Sequence, residues 1–472
     1  MLPSGSTITY GYNSNGQVTS LTLNGSTTIL NAITYDPFGP ITSWTWGNST
    51  TANRAFDTDG KITQVDNANG ANLKTYAYDD AFRITGIADA ADSTLSWTYG
   101  YDNLDRLNSA GKTGTTQGWT YDANGNRLTQ TGTTPSTYTN SGTSNRVSSI
   151  TGSLPRTYAY DNAGNTLSYA GATFSYNNRG RMATASNGGV TAAYTYNALG
   201  QRIQRTAASV TTFYAYDEAG HLAGEYTSTG ALIQETVWLG DIPVATLRPN
   251  GLGGVILYYV HADHLNTPRL VTDTSNNIRW RWDSDPFGIT IPNENPASLG
   301  LFIYNLSFPG QQYDAVVGLH YNYFRDYDPA AGRYVESDPI GLLGGMATYA
   351  YAAGNPLWFT DAKGLATDVL NPPWRPTPGQ VPWGKILGKA AGRAVPILGW
   401  GLLAWDIYEV CRDMGNEDFC RKEKQKCIEL CSVAYSDFDR PRMSGRSISQ
   451  CILNCLPEEC GGEPKWKVYR KR

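Results

Sequence analysis

The feature that most constrains this chain is a short unit, Tyr-x-Tyr-Asp/Asn-x-x-Gly, repeated along its first two thirds. Clear copies are Tyr12-Asn13 with Gly16, Tyr35-Asp36 with Gly39, Tyr121-Asp122 with Gly125 and Tyr160-Asp161 with Gly164. The series continues at Tyr176-Asn177 with Gly180, Tyr196-Asn197 with Gly200 and Tyr216-Asp217 with Gly220. Tyr101-Asp102, Phe56-Asp57 with Gly60, and Tyr78-Asp79 are variant copies, and one copy is worn away between Tyr121 and Tyr160. The step is 20 residues from Tyr101 to Tyr121, from Tyr176 to Tyr196 and from Tyr196 to Tyr216. A fixed period of this kind must be read before anything else, because it sets the whole fold.

Each part of the unit has a physical reason. Side chains on a strand alternate, so Tyr-x-Tyr puts two aromatics on one face. Asp or Asn opens a turn by bonding its own following backbone, and Gly three places on takes the left-handed conformation that closes a hairpin. Residues such as Asn126-Arg127-Leu128-Thr129 then alternate as the return strand. The expectation is one β-hairpin per unit, successive hairpins pairing into a long sheet, with turns at Gly125, Gly164, Gly180, Gly200 and Gly220. The tyrosine rows suit wall packing better than a ligand platform.

Composition agrees. The chain has 472 residues with 31 Tyr, 13 Trp and 50 Gly, and only 17% charged residues, which suits a turn-rich β protein and disfavours disorder. The first 25 residues show no basic start followed by an apolar run, so no ordinary signal peptide is visible. The repeat begins almost at once, at Tyr10 and Tyr12, which points to a fragment or a displaced piece of a longer gene.

The repeat units resemble the YD repeats of the RHS family. The resemblance deepens at Tyr258-Tyr259-Val260-His261-Ala262-Asp263-His264 and is nearly continuous from Gly318 to Gly341, which is similar to the RHS-repeat-associated core. It covers about 365 of the 472 residues. The resemblance implies a mainly β strip coiled into a hollow shell, sealed at one end by the core, with a toxic C-terminal segment inside. It divides the chain into a repeat shell (1–317), a core (318–365), a Pro-rich linker (366–383) and a variable tip (384–472).

In that family the segment spanning two Asp-Pro-x-Gly-Leu turns resembles an aspartyl autoprotease. The turns here are Asp338-Pro339-Ile340-Gly341 and Asp361-Ala362-Lys363-Gly364, with 19 residues between them. Carried over, the pattern makes Asp338 and Asp361 the acid/base pair and Leu365–Ala366 the bond cut. Two close carboxylates can hydrolyse a peptide, one activating water and the other, kept protonated, polarising the carbonyl. Ala362 stands where the family has Pro, a change that removes no catalytic atom but loosens the turn. Arg333 is a candidate third member that orients one carboxylate. The bland alternative is that both aspartates only cap turns.

The tail is a different kind of sequence. Residues 366–472 hold 17 of the 37 Lys+Arg and 13 of the 41 Asp+Glu, so a tail of net +4 follows a body of net −8. All seven Cys lie in the tail. The twin spacing of Cys427 and Cys431, and of Cys451 and Cys455, fits a small α-helical, disulfide-linked domain pairing Cys427 with Cys455 and Cys431 with Cys451. Zinc is the weaker alternative, since the tail has no His. Disulfides imply an oxidising destination. The apolar run 394–410 is broken by Pro396, Asp406 and Glu409 and suits a buried helix better than a membrane span.

His261 and His264 fall on opposite faces of a strand, so no metal site is expected, and no cofactor motif or clear nucleic-acid signal appears. The leading expectation is a bacterial polymorphic toxin, made in the cytoplasm and secreted or displayed on the cell surface. Its family implies an immunity protein and a secretion spike or adaptor as partners. The alternative is a non-enzymatic surface protein whose aromatic faces bind carbohydrate or a neighbouring cell.

Overall fold

The computed structural model describes residues 1–365, except Phe38 and Thr143, together with Thr367. All of them fall within one compact unit, Met1–Arg375. Among these residues the chain is almost wholly antiparallel β. A 15-stranded sheet runs in strict sequence order from β1 (Ile8–Tyr12) to β15 (Arg156–Thr157). A 13-stranded sheet follows from β16 (Ala159–Tyr160) to β28 (Ile278–Arg281). The two are parted at Tyr158, just after Leu154 and Pro155.

The repeat unit forms the hairpin its residues dictate. At Tyr121-Asp122 the Asp122 carboxylate accepts the N–H groups of Asn124 and Asn126 at 2.9 and 2.8 Å. Gly125 closes the turn at φ 94°. Gly164, Gly180, Gly200 and Gly220 lie at φ 70–95° in the same place. Two of the variant copies meet the same demand without glycine, Phe82 and Asp105 sitting at φ 67° and 62°, while the third keeps Gly60 at φ 79°. The worn copy is the strand Ser136–Asn140, which turns at Ser141 to pair with Val147–Gly152.

What the period did not show is how hairpins are tied together. The ladder slips by one residue just before the last tyrosine of each unit, as at Thr120/Tyr121, Thr195/Tyr196 and Ala215/Tyr216. The bulge re-aims that ring. Its hydroxyl then donates to a backbone carbonyl of the preceding return strand: Tyr78 to Ile62, Tyr101 to Ile84, Tyr121 to Leu107 and Tyr196 to Met182, all at 2.7–2.8 Å. The arginine of the previous turn stacks on the same ring, Arg83 over Tyr101, Arg106 over Tyr121 and Arg181 over Tyr196. One neutral hydrogen bond contributes about 1 kcal/mol and one cation–π contact about 0.5–1 kcal/mol, so each hairpin is hooked to its neighbour by a modest, repeated increment.

The strip returns upon itself. Leu21, Ile29, Leu30, Trp44 and Trp46 share a core with Val237, Leu239, Val244 and Leu247, about 200 residues later in the chain. The Trp46 indole donates to the Val244 carbonyl at 3.1 Å, and the Tyr10 hydroxyl to that of Trp238 at 2.8 Å.

A four-stranded sheet of Gln312–Asp314, Leu319–Asn322, Arg325–Asp328 and Arg333–Tyr334 completes the described residues. The segment carrying it lies against one repeat after another. Arg127 donates to the Ala331 carbonyl, Tyr349 to that of Gly164, and the Arg202 amide to the Tyr321 hydroxyl. The linker from residue 368, the helical tip and the bridges Cys427–Cys455 and Cys431–Cys451 lie outside the described residues. Within those residues no helix is long and apolar enough to cross a membrane.

Candidate functional site

The strand Arg325–Asp328 carries the centre of the site. Side chains on it alternate, so Arg325 and Tyr327 share a face. Tyr334 is the direct partner of Tyr327 on the neighbouring strand and therefore faces the same way. Onto this face fold the two acidic turns.

One guanidinium nitrogen, Nη2 of Arg325, lies 2.9 Å from Asp338 Oδ2 and 3.0 Å from Asp361 Oδ2. All three side chains are only 2% exposed. Arg325 also donates through Nε to the Gly364 carbonyl at 2.6 Å and through Nη1 to that of Thr348 at 3.2 Å. Its plane rests 3.7 Å above the Tyr334 ring. The structure thus brings Asp338 and Asp361 together.

Arg333 is not with them. It faces the opposite side of its strand, donates to the Asn145 carbonyl at 3.2 Å and lies over Tyr349. The cation between the carboxylates is Arg325.

The two aspartates have different surroundings. Asp361 Oδ2 accepts from Tyr334 as well as Arg325, and its Oδ1 accepts the Leu365 amide at 2.8 Å. The Tyr334 hydroxyl itself accepts from Asn322 Nδ2 at 2.6 Å, so its proton points at Asp361. Three donors converge on this carboxylate and favour its charged form. Among the described residues, the Asp338 side chain accepts only the Ile340 amide besides Arg325. Burial pushes Asp338 up to about 6, against the pull of Arg325. Burial also raises Asp361, opposed by Arg325, the Leu365 amide and Tyr334. Asp361 thus has three donors opposing the effect of burial where Asp338 has two, and one of its acceptor sites stays open.

Glycine makes room at the bond of interest. A Cβ on Gly344 would fall 2.3 Å from Asp338 Oδ2 and 2.6 Å from the Leu365 carbonyl oxygen. Asp338 and that carbonyl therefore approach the same small space. Ala366 lies outside the described residues. The second turn keeps its place without proline. A Cβ on Gly310 would fall 1.8 Å from the Ala362 oxygen, and one on Gly364 would fall 2.4 Å from the Asn322 oxygen. Phe324 donates its amide to the Lys363 carbonyl at 3.0 Å. The backbone from Ala362 to Gly364 is thus wedged between two close approaches.

The histidines have other employment. His261 meets Thr272 at 2.9 Å and packs on Trp46, and burial lowers it to about 3. His264 meets the Leu357 carbonyl at 2.9 Å. Among the described residues no three His, Cys, Asp or Glu side chains group as a metal site.

Asn322, Arg325, Tyr334 and Gly344 escaped the sequence reading. A lone arginine among the aromatics of Tyr321-Asn322-Tyr323-Phe324-Arg325 was the available signal, since a cation buried there needs an acidic partner.

The Teneurin YD-shell family model matches residues 4–99 and 78–343. The chain belongs to the Teneurin YD-shell family. Toxin protein Tse5 of Pseudomonas aeruginosa is similar to this YD shell, 36% identical over 119 residues, which is 25% of this chain and 9% of Tse5. Double-stranded DNA deaminase toxin A of Burkholderia cenocepacia is 32% identical over 144 residues, 30% of this chain and 10% of that one. The Photorhabdus luminescens Tc holotoxin pore shares the fold at TM-score 0.63 and 20% identity, covering 78% of this chain and 20% of its own. A crystal structure of TcdB2-TccC3 without its hypervariable C-terminal region matches at TM-score 0.62 and 21% identity, covering 77% of this chain and 20% of its own. The matched stretches of these toxins are thus about a tenth to a fifth of their lengths. The RHS resemblance and the mainly β expectation hold.

Proposed function

We propose that residues 1–365 are the shell end of a polymorphic toxin that encloses a C-terminal effector and frees it by cutting Leu365–Ala366. The observation that carries this reading is the shared space at Gly344, where Asp338 meets the Leu365 carbonyl while Asp361 holds the Leu365 amide. Asp338, in its protonated form, donates to that carbonyl. Asp361, ionised and held by Arg325 and Tyr334, takes a proton from the attacking water. The water oxygen bonds to the Leu365 carbonyl carbon, the C–N bond breaks, and the Ala366 amine leaves with a proton. Two carboxyls of unequal proton affinity are what such a reaction needs.

Secretion, delivery through a spike or adaptor, a partner component in the toxin assembly and a protecting immunity protein follow as parts of this proposal. The relatives' names support a delivered toxin and leave the effector of residues 366–472 to be identified. The carbohydrate-binding alternative gains nothing from hairpin tyrosines such as Tyr121 and Tyr196, whose hydroxyls are spent on backbone carbonyls.

The test is a denaturing gel of the purified full chain. Wild type should give two pieces, residues 1–365 and 366–472, while Asp338→Asn and Asp361→Asn should each give one band at 51.4 kDa. A folded wild-type chain that stays whole on long incubation would leave the cluster as a structural clasp.

A further inference from the structure

Beside the bond stands an apolar surface that the chemistry does not use. Residues 340–346 pass over the Asp338 turn, and Gly341–Gly344 forms a single 3-10 turn within them. Leu342, Leu343 and Met346 are 74%, 85% and 54% exposed, and Ile340 is 36% exposed. Single exposed apolar side chains such as Leu104 and Leu199, in hairpin turns, need no explanation, and a second exposed apolar run, Leu299, Leu301 and Ile303, lies away from the bond in sequence. Four in seven residues make a patch, and patches of this kind mark contact surfaces. The segment is held in place from below by Asn145, which donates to the Met346 carbonyl, and by the Asp338 amide, which donates to that of Thr348.

The chain itself says what covers the patch. The Leu365 carbonyl points into the space beside Gly344, so the polypeptide beyond it starts within two residues of Leu342, Leu343 and Met346. Extended chain advances about 3.5 Å per residue, so residues 369–374 begin about 14 Å on, within reach of the patch. Those residues are Val369, Leu370, Asn371, Pro372, Pro373 and Trp374, uncharged and apolar but for Asn371. Two consecutive prolines favour an extended, semi-rigid run, which loses little entropy on docking.

We infer that Ile340, Leu342, Leu343 and Met346 form a docking ledge for residues 369–374 of the same chain, holding the strand on the far side of the bond in line with Asp338. The ledge gives the cluster a leaving-side subsite. It rests on the proposed self-cleavage for its purpose, though not for its existence.

A photo-crosslink tests it in the full chain carrying Asp338→Asn, which keeps both sides of the bond joined. A benzophenone amino acid in place of Leu343 should, on irradiation, attach to residues 369–374. The same probe at Val210, a distant exposed hairpin tip, should not. Crosslinks from position 343 to residues beyond 376, to the shell or to a second copy would overturn the inference, as would no crosslink at all. Independently, chymotrypsin should cut slowly after Trp374, and Leu342→Asp with Leu343→Asp should remove that protection. Equal cutting rates in the two proteins would count against the ledge. If wild type never cuts itself, the self-cleavage reading fails while the crosslink result stands.

Discussion

Arg325 offers the same nitrogen to Asp338 and Asp361, at 2.9 and 3.0 Å. One cation therefore offsets two buried carboxyls, and one of the two is free to carry a proton. Removing the cation leaves both without a counter-charge. Arg325→Met should abolish cutting and lower stability by about 3 kcal/mol, the scale for breaking a buried pair. Arg325→Lys should recover part of the stability and little of the cutting, since it loses the bond to the Gly364 carbonyl. Gel assay and urea denaturation of both variants read the two effects separately.

The pH dependence follows from Asp338. Its proton affinity in the fold is raised from the usual 3.8 to about 6. The fold thus prefers the protonated form. Stability from this group is fully present below about pH 4 and is lost as pH rises toward 6, by about 3 kcal/mol at most. Compared with Asp338→Asn, which does not titrate, wild type should lose stability between pH 4 and pH 7. Cutting should fall about tenfold per pH unit above 6 as the acid disappears. A rate that climbs from pH 6 to 8 would assign the proton elsewhere.

Gly344 tests geometry without touching charge. An added methyl would sit 2.3 Å from Asp338 and 2.6 Å from the Leu365 oxygen, so one of them must move. Gly344→Ala should slow cutting about 100-fold, the scale of an ångström's misplacement. Its circular dichroism should match wild type, because the change sits in a single 3-10 turn outside the sheets.

The hooks between hairpins have a measurable value. Tyr196→Phe removes the hydroxyl that donates to the Met182 carbonyl at 2.8 Å and leaves that acceptor without its partner. The expected loss is about 1 kcal/mol, read from chemical denaturation, with cutting unchanged.

Legibility tracked sequence distance. The hairpins could be read because Asp122, Asn124, Gly125 and Asn126 settle their turn among themselves. The bulge before each tyrosine could not, since it depends on how neighbouring strands slide past one another. Asp338 and Asp361 were found by the motif resemblance, and their meeting needed the fold. Arg333 was placed in the site by nearness in sequence. The two-residue alternation of its strand turned Arg333 to the other face, and the cation on the site face is Arg325 of the neighbouring strand, whose contact with Asp361 spans 36 residues. Ala362 was expected to loosen its turn, but Gly310, over 50 residues earlier, leaves the space that its carbonyl fills. No local reading of the turn contains that neighbour.

The grip on Leu365 has a consequence for turnover. Its amide is tied to Asp361, the preceding carbonyl to Arg325, and the turn before it is wedged against Gly310 and Asn322. A cut after Leu365 would leave a new carboxylate anchored where it was made, beside the cation that helped make it. The site would then be occupied by its own product for the life of the protein. Such a catalyst fires once, and its useful measure is the fraction of chains already spent rather than a rate per second.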